Sequence, residues 1–176
     1  MAKGFTHLYF GNGKGKTTAA IGLALRAAGC GNNVVIVQFL KSWKCGELNS
    51  LKNLSNVTVF SGKQPGSAFI KDMSDEEIHE MKLAHDKTLV DALELQKDGL
   101  SDMLVLDEVI DAYKLGVLDA QVFEELVNNK PESLELILTG HGPCAWLLES
   151  ADYVTEMVKH KHPFDDDVAA RRGVEF

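Results

Sequence analysis

The apolar and polar positions of this chain follow two alternating patterns, one typical of buried strands and one typical of helices. Short apolar runs near residues 5–10, 34–39, 57–60, 103–108, 134–139 and 153–157 predict strands. Between them, helical spacing or helix end signals occur at 17–28, 47–54, 74–100, 119–128 and 143–150. This alternation predicts an α/β fold in which helices cover both faces of a mostly parallel sheet, with ligands at the carboxyl ends of the strands.

The segment between the first strand and the first helix, residues 10–18, is rich in glycine and lysine and is called the phosphate-binding loop below. Its glycines let the backbone curl with N–H groups inward, and the helix N-terminus that follows also attracts anions. In such a loop Lys16 neutralises the outer phosphates and Thr17 ligates a bridging magnesium ion. The loop therefore predicts a nucleoside triphosphate site, although Phe10 stands where the common pattern has its first glycine.

Two carboxylates, Asp107 and Glu108, end the apolar run that begins at Met103. In phosphate-loop proteins a carboxylate at such a strand end holds the magnesium ion or its waters. Adjacent strand residues point to opposite faces, so we expect only one of the two to face the metal. The other is available to satisfy a helix end or a loop.

Length and composition narrow the possibilities further. The 176 residues, 45% of them hydrophobic, suit one domain spanning 1–176, whose charged tail from Lys159 we expect to order only with ligand. The net charge of −8 and the lack of a basic tract argue against nucleic acid binding. The three cysteines have no metal-binding or disulfide spacing, so free thiols in a reducing cytoplasm are expected. The start of the chain has no long apolar segment, so we expect neither a leader nor a membrane span.

Several short blocks of sequence occur in an order that resembles one known family. The first is Gly11-Asn12-Gly13-Lys14-Gly15-Lys16-Thr17-Thr18-Ala19-Ala20, and the later ones are residues 37–41, 106–108, 138–140, 152–156, 161–164 and 173–176. Together they resemble the ATP:corrinoid (cob(I)alamin) adenosyltransferases of the phosphate-loop type, over nearly the whole chain. The resemblance implies a three-layer, P-loop NTPase-like (RecA-like) fold.

The resemblance also implies an activity and a set of site residues. The expected reaction transfers the 5′-deoxyadenosyl group of ATP to the cobalt(I) of a corrinoid (cobalamin, cobinamide or cobyrinic acid a,c-diamide) and releases triphosphate. Lys16, Thr17 and Glu108 are the expected catalytic residues, with Thr17 and Glu108 also holding Mg²⁺ or Mn²⁺. The expected nucleotide-binding residues are Gly11, Asn12, Gly13, Lys14, Gly15, Lys16, Thr17, Thr18 and Arg26. By family analogy, a homodimer and a flavoprotein reductant are implied as well.

Some positions depart from the family pattern or allow two interpretations. Arg26 matches a family position near the nucleotide, but an exposed helix arginine is an equal alternative. His141 stands where many members have arginine, and it either donates to phosphate or caps a turn. The loop 61–73 is a candidate lid that has Phe69 but lacks the family's Phe-x-Trp pair. Trp43 either stacks on corrin or adenine or packs against a neighbouring subunit.

Two other functions remain compatible with the sequence. A small-molecule kinase could use the same loop, and it would produce ADP and a phosphorylated acceptor. A nucleotide- and corrinoid-binding module without chemistry of its own would bind both ligands and show no turnover.

Overall fold

The computed structural model describes residues 3–41, 45–61 and 72–175 of the chain. Within these residues the strands are β1 (Thr6–Phe10), β2 (Val34–Gln38), β3 (Val57–Ser61), β4 (Met103–Asp107), β5 (Glu135–Gly140) and β6 (Tyr153–Glu156). The helices are α1 (Lys16–Gly29), α2 (Gly46–Leu51), α3 (Asp75–Lys97), α4 (Val109–Lys114), α5 (Ala120–Asn129) and α6 (Ala145–Ser150), followed by a 3-10 turn at Pro163–Asp166. Trp43, Phe69 and most of the expected lid lie outside the described residues.

The described strands form one parallel sheet of six strands in the order β3-β2-β4-β5-β1-β6. Both β2 and β4 are buried along their whole length, which agrees with their continuous apolar sequence. Because all the strands run the same way, the residues that follow them meet at a single edge of the sheet. β5 lies between β1 and β4 in the sheet, so the end of β5 lies between the strand that leads into the phosphate-binding loop and the strand that ends in Asp107.

Two hydrophobic cores lie on opposite faces of the sheet, and together with it they form three layers. Residues of α1 pack with Ile36 and Val105 on one face. Residues of α3, α4 and α5 pack with Val37 and Leu106 on the other. Adjacent strand residues thus enter different cores, as strand geometry requires. The predicted three-layer α/β fold is confirmed.

Helix ends were predicted with mixed success. The capping box at the start of α3 is confirmed, since the Ser74 hydroxyl accepts from the Glu77 N–H at 3.3 Å and the Glu77 carboxylate accepts from the Ser74 N–H at 2.8 Å. The helix α4 was not predicted. It begins directly after Glu108, which lies in the left-handed region at φ 61° and lets the chain turn from strand into helix within one residue.

The tail returns to the phosphate-binding loop after β6. The Gly13 N–H donates to the Met157 carbonyl at 2.7 Å, and the Lys159 N–H donates to Oδ1 of Asn12 at 2.9 Å. Further along, the Lys14 ammonium donates to the Val174 carbonyl at 3.0 Å. The loop is therefore contacted by both ends of the segment 157–175. That the tail from Lys159 orders only with ligand stays a prediction.

None of the helices in the described part of the chain has the length and apolar character that crossing a lipid bilayer requires.

Candidate active site

The phosphate-binding loop has a backbone shape that requires glycine at two of its positions. Gly11 and Gly15 have φ of 114° and 121°, values that side chains with a Cβ rarely adopt. A Cβ at Gly11 would also lie 2.4 Å from the Met157 carbonyl oxygen. Gly15 is the N-cap of α1, so the loop leads directly into the N-terminus of that helix. Its backbone donors and the helix end together form a site for an anion.

The two lysines of the loop have different surroundings. Lys16 is buried, and its ammonium donates to the carbonyls of Gly11 at 2.9 Å and Gly13 at 3.1 Å. Lys14 is more exposed and contacts the tail through Val174 and the Glu175 carboxylate, the latter at 3.2 Å. A positive charge therefore lies inside the loop and another at its rim.

Asp107 is the carboxylate that meets the start of α1. It is fully buried, and its Oδ1 accepts from the hydroxyls of Thr17 at 2.9 Å and Thr139 at 2.8 Å. Its Oδ2 accepts from the Lys41 ammonium at 2.5 Å. Burial by itself lowers the pKa of Lys41, but the charge of Asp107 and its hydrogen bond outweigh burial and leave the pKa raised. Lys41 is thus a charged partner in a buried pair.

Glu108 has a different environment from its neighbour. Its N–H donates to the Thr139 hydroxyl at 2.8 Å, while its carboxylate lies with Asp111 and His141, the ligand atoms of the three being within 4.8 Å of one another. Burial, and then the charges of Asp107 and Asp111, raise the pKa of Glu108 to about 7. The two adjacent carboxylates therefore have different partners: Asp107 bonds to Thr17, and Glu108 lines the cavity. Which of them faces the metal stays a prediction.

His141 belongs to this second group. Its N–H and its Nδ1 lie 2.9 and 3.2 Å from Oδ2 of Asp111. Gly140 before it leaves no room for a side chain, because a Cβ there would lie 2.6 Å from the same carboxylate oxygen. The end of β5 is thus fixed against α4.

A cavity of about 250 Å³ lies over the loop. Besides Glu108 and His141 it is lined by the loop from Asn12 to Thr18 and by His162, Val174 and Glu175. A neighbouring cavity of about 590 Å³ shares Thr17, Thr18 and Glu108 and extends along α1 towards residues 45–47. A third, of about 620 Å³ between α3 and α5, has no loop residue in its lining. The donors that suit a triphosphate lie in the first cavity.

Arg26 lies apart from these residues. It is exposed in the last turn of α1 and lines neither of the two cavities next to the loop. The interpretation as an exposed helix arginine fits this position, and a role near the nucleotide stays a prediction.

The oxygen donors near the loop suit a hard divalent cation. The Thr17 hydroxyl donates a hydrogen bond to Asp107, so the lone pairs of its oxygen remain available to a metal. Together with the carboxylate of Glu108, this set has the chemistry that Mg²⁺ or Mn²⁺ prefers.

Comparison with known proteins identifies the family of the chain. The model of a family described as ATP:corrinoid adenosyltransferase BtuR/CobO/CobP matches residues 2–176. The chain belongs to this family. The resemblance predicted from the sequence blocks is thereby confirmed.

Curated relatives match this chain over almost its full length. A corrinoid adenosyltransferase of Escherichia coli K12 is 34% identical over 175 residues, which cover 99% of this chain and 86% of the relative. The corrinoid adenosyltransferase CobA of Salmonella typhimurium LT2 is 33% identical over 177 residues, which cover 99% of this chain and 86% of that relative. A corrinoid adenosyltransferase from Pseudomonas aeruginosa is 30% identical over 175 residues, which cover 99% of this chain and 84% of that relative.

Solved structures of lower identity show the fold alone. A KaiC-like protein from Pyrococcus horikoshii OT3 superimposes with a TM-score of 0.53 at 16% identity, covering 92% of this chain and 76% of that one. The cytoplasmic domain of EssC superimposes with a TM-score of 0.56 at 17% identity, covering 98% of this chain and 37% of that one.

Several residues of the site were not predicted as site residues in this adenosyltransferase. They are Lys41, Thr139 and Asp111, which bond to Asp107 or His141, and the cavity-lining tail residues His162, Val174 and Glu175. Lys41 and Thr139 lie in blocks that resemble the family. Lys41 follows β2 by three residues and Thr139 lies in β5, and both of these strands neighbour β4. A polar residue at the carboxyl end of a parallel strand was the signal that could have found them. Asp111 lies on α4, whose existence was not predicted.

Proposed function

We propose that this adenosyltransferase moves the 5′-deoxyadenosyl group of ATP to the cobalt of a reduced corrinoid and releases intact triphosphate. The observation that carries the proposal is the phosphate-binding loop, with the buried ammonium of Lys16 inside it, in a chain whose family match spans 2–176. A loop of this kind holds the three phosphates as one departing group.

The reaction requires no proton transfer. The cobalt(I) of the substrate supplies the electron pair for the new cobalt–carbon bond, while the bond between the ribose 5′ carbon and its oxygen breaks and the triphosphate leaves with that bond's electrons. The protein has to align the two reactants and stabilise the negative charge that develops on the leaving group. We assign the second task to the loop amides, Lys16 and Lys14.

We assign a divalent cation, Mg²⁺ or Mn²⁺, to Thr17 and Glu108. When bound, the cation neutralises charge on the triphosphate. Asp107 accepts a hydrogen bond from the Thr17 hydroxyl and so leaves the lone pairs of the threonine oxygen to the cavity that Thr17 lines. The nucleotide site in this proposal is completed by Gly11, Asn12, Gly13, Gly15 and Thr18. Arg26 is its least supported member, because it lines neither cavity next to the loop.

Homodimer formation, a flavoprotein that reduces cobalt(II), and a cytoplasmic location are further proposals from the family resemblance. Reduction must precede transfer, because only cobalt(I) carries the nucleophilic electron pair.

The test combines the protein with ATP, Mg²⁺ and a chemically reduced corrinoid under exclusion of oxygen. The expected products are a light-sensitive cobalt–carbon compound and tripolyphosphate in equal amounts, and a Lys16→Ala variant is expected to form both more slowly. Release of ADP with a phosphorylated acceptor would establish a kinase instead. Binding of ATP and corrinoid without any product under strong reduction would establish a binding module.

A further inference from the structure

Lys41 lies at the active-site edge of the sheet, three residues after β2. The Phe39 N–H donates to the Asp107 carbonyl at 3.0 Å, which extends the pairing of β2 with β4 past the end of the strand. Leu40 then lies in the left-handed region at φ 54°. The chain is therefore held close to Asp107 where Lys41 begins.

The Lys41 ammonium has two carboxylate partners, of which the buried Asp107 is much the nearer. Its ammonium lies 2.5 Å from Oδ2 of Asp107 and 3.8 Å from Oε1 of Glu47. The Lys41 side chain is 14% exposed and that of Asp107 is 0% exposed. A buried pair of this kind has a defined geometry, because neither group can turn to water without losing its partner.

The other oxygen of Asp107 serves Thr17. With Oδ2 occupied by Lys41, Oδ1 accepts the hydroxyls of Thr17 and Thr139. Rotation of the carboxylate would break all three of these contacts. Lys41 thus fixes the orientation in which Asp107 accepts the Thr17 hydrogen bond and leaves the threonine lone pairs to the cavity.

We infer that Lys41 is a positioning residue, which acts through Asp107 on Thr17 and sets the affinity of the site for a metal–nucleotide complex. This inference rests on the proposed assignment of the cation to Thr17. It distinguishes Lys41 from Lys14 and Lys16, which are part of the loop itself. Lys41 lines the neighbouring cavity of about 590 Å³, but its effect on Thr17 requires no contact with nucleotide or corrinoid.

The test measures binding alone, with Mn²⁺ followed by electron paramagnetic resonance and a fluorescent ATP analogue followed by titration. Lys41→Met is expected to weaken Mn²⁺-dependent binding of the analogue about 10- to 100-fold, the range found when a residue that orients a metal ligand is replaced. Binding of the analogue in EDTA is expected to change less than about twofold, since the loop contacts are unaltered. Lys41→Arg, which keeps the charge, is expected to restore most of the affinity.

The decisive comparison uses Thr17→Val, which removes the hydroxyl. If Lys41 acts through Thr17, Lys41→Met has no further effect on Mn²⁺-dependent binding in the Thr17→Val background. The inference would be overturned if the affinity losses caused by Lys41→Met and Thr17→Val multiplied in the double variant. It would also be overturned if Lys41→Met lowered the affinity for the analogue equally with Mn²⁺ and in EDTA. Lys82→Met is the matched control, because Lys82 also lies 2.5 Å from an aspartate, Asp86, but on α3 and outside both active-site cavities.

Thermal unfolding of each variant is measured first. Should Lys41→Met not fold, Lys41→Arg is compared in the Thr17 and Thr17→Val backgrounds. Any loss of Mn²⁺-dependent affinity that Lys41→Arg causes beside Thr17 must then be absent in the Thr17→Val background. Corrinoid is absent from all of these measurements. A failure of adenosyl transfer would therefore contradict the proposed function without touching the role of Lys41.

Discussion

Replacing Glu108 with glutamine should make the protein more stable at alkaline pH while weakening its function. The pKa of Glu108 is raised from an ordinary 4.5 to about 7. The folded state therefore binds a proton more tightly than the unfolded state, and the free energy of unfolding falls as pH rises from about 5 to about 7. The full pKa difference corresponds to a loss of about 3 kcal/mol above pH 8, and glutamine, which does not ionise, avoids this loss.

The assay is urea unfolding of the parent and Glu108→Gln across pH 5 to 8.5, with EDTA present because a bound cation would favour the ionised carboxylate. We expect similar stability near pH 5 and a variant more stable by about 2–3 kcal/mol at pH 8.5. Glu125→Gln, at an exposed position on α5, is the control and should show no such pH-dependent gap. A gap that is the same at every pH, or a variant that is less stable at pH 8.5, would refute the reasoning.

The same variant separates the two neighbouring carboxylates by function. Glu108→Gln should weaken Mg²⁺-dependent nucleotide binding while the fold gains stability. Asp107→Asn should instead lose about 3–5 kcal/mol of stability, because it leaves the ammonium of Lys41 buried without its partner. Urea unfolding and magnesium titrations on both variants provide the comparison. If Asp107→Asn weakened metal-dependent binding more than Glu108→Gln did, the metal assignment would move to Asp107.

Other substitutions test the loop and the helix ends. Lys16→Ala should remove about 2–4 kcal/mol of transition-state stabilisation, measured as kcat/KM, and an unchanged turnover number would exclude the lysine from the mechanism. Gly13→Ala should lower stability by about 1–3 kcal/mol in thermal unfolding, since its Cβ would lie 2.7 Å from the Met157 carbonyl oxygen. Its control is Gly22→Ala in α1, where the Cβ meets nothing within 4 Å and helix propensity should add about 0.5–1 kcal/mol. Ser74→Ala should cost about 1 kcal/mol in unfolding experiments without changing kcat.

The layers and strands of this fold could be predicted because they depend on local patterns. An apolar run such as residues 103–107 is recognisable as a buried strand, and Ser74 with Glu77 is recognisable as a helix start. The phosphate-binding loop is equally local, since its glycines and lysines occupy consecutive positions. These features need no knowledge of what lies next to them in space.

The contacts between strand ends could not be predicted in the same way. Lys41 and Asp107 are 66 residues apart, and nothing in either segment alone identifies the pair. The short helix α4 has only six residues and begins at a strained left-handed Glu108, so its sequence has no ordinary start signal. The division of roles between Asp107 and Glu108 likewise depended on Thr139 and Asp111, which come from a different strand and from that helix.

The contact between Lys14 and the segment around Val174 has a consequence for how the site is made. The two residues are 160 positions apart, so every residue from 14 to 174 must be synthesised before they can meet. Contacts of such long range are among the slowest to form. Nucleotide affinity should therefore be among the last properties to return during refolding, and the signal of a bound ATP analogue would report completion of the fold more faithfully than helix content does.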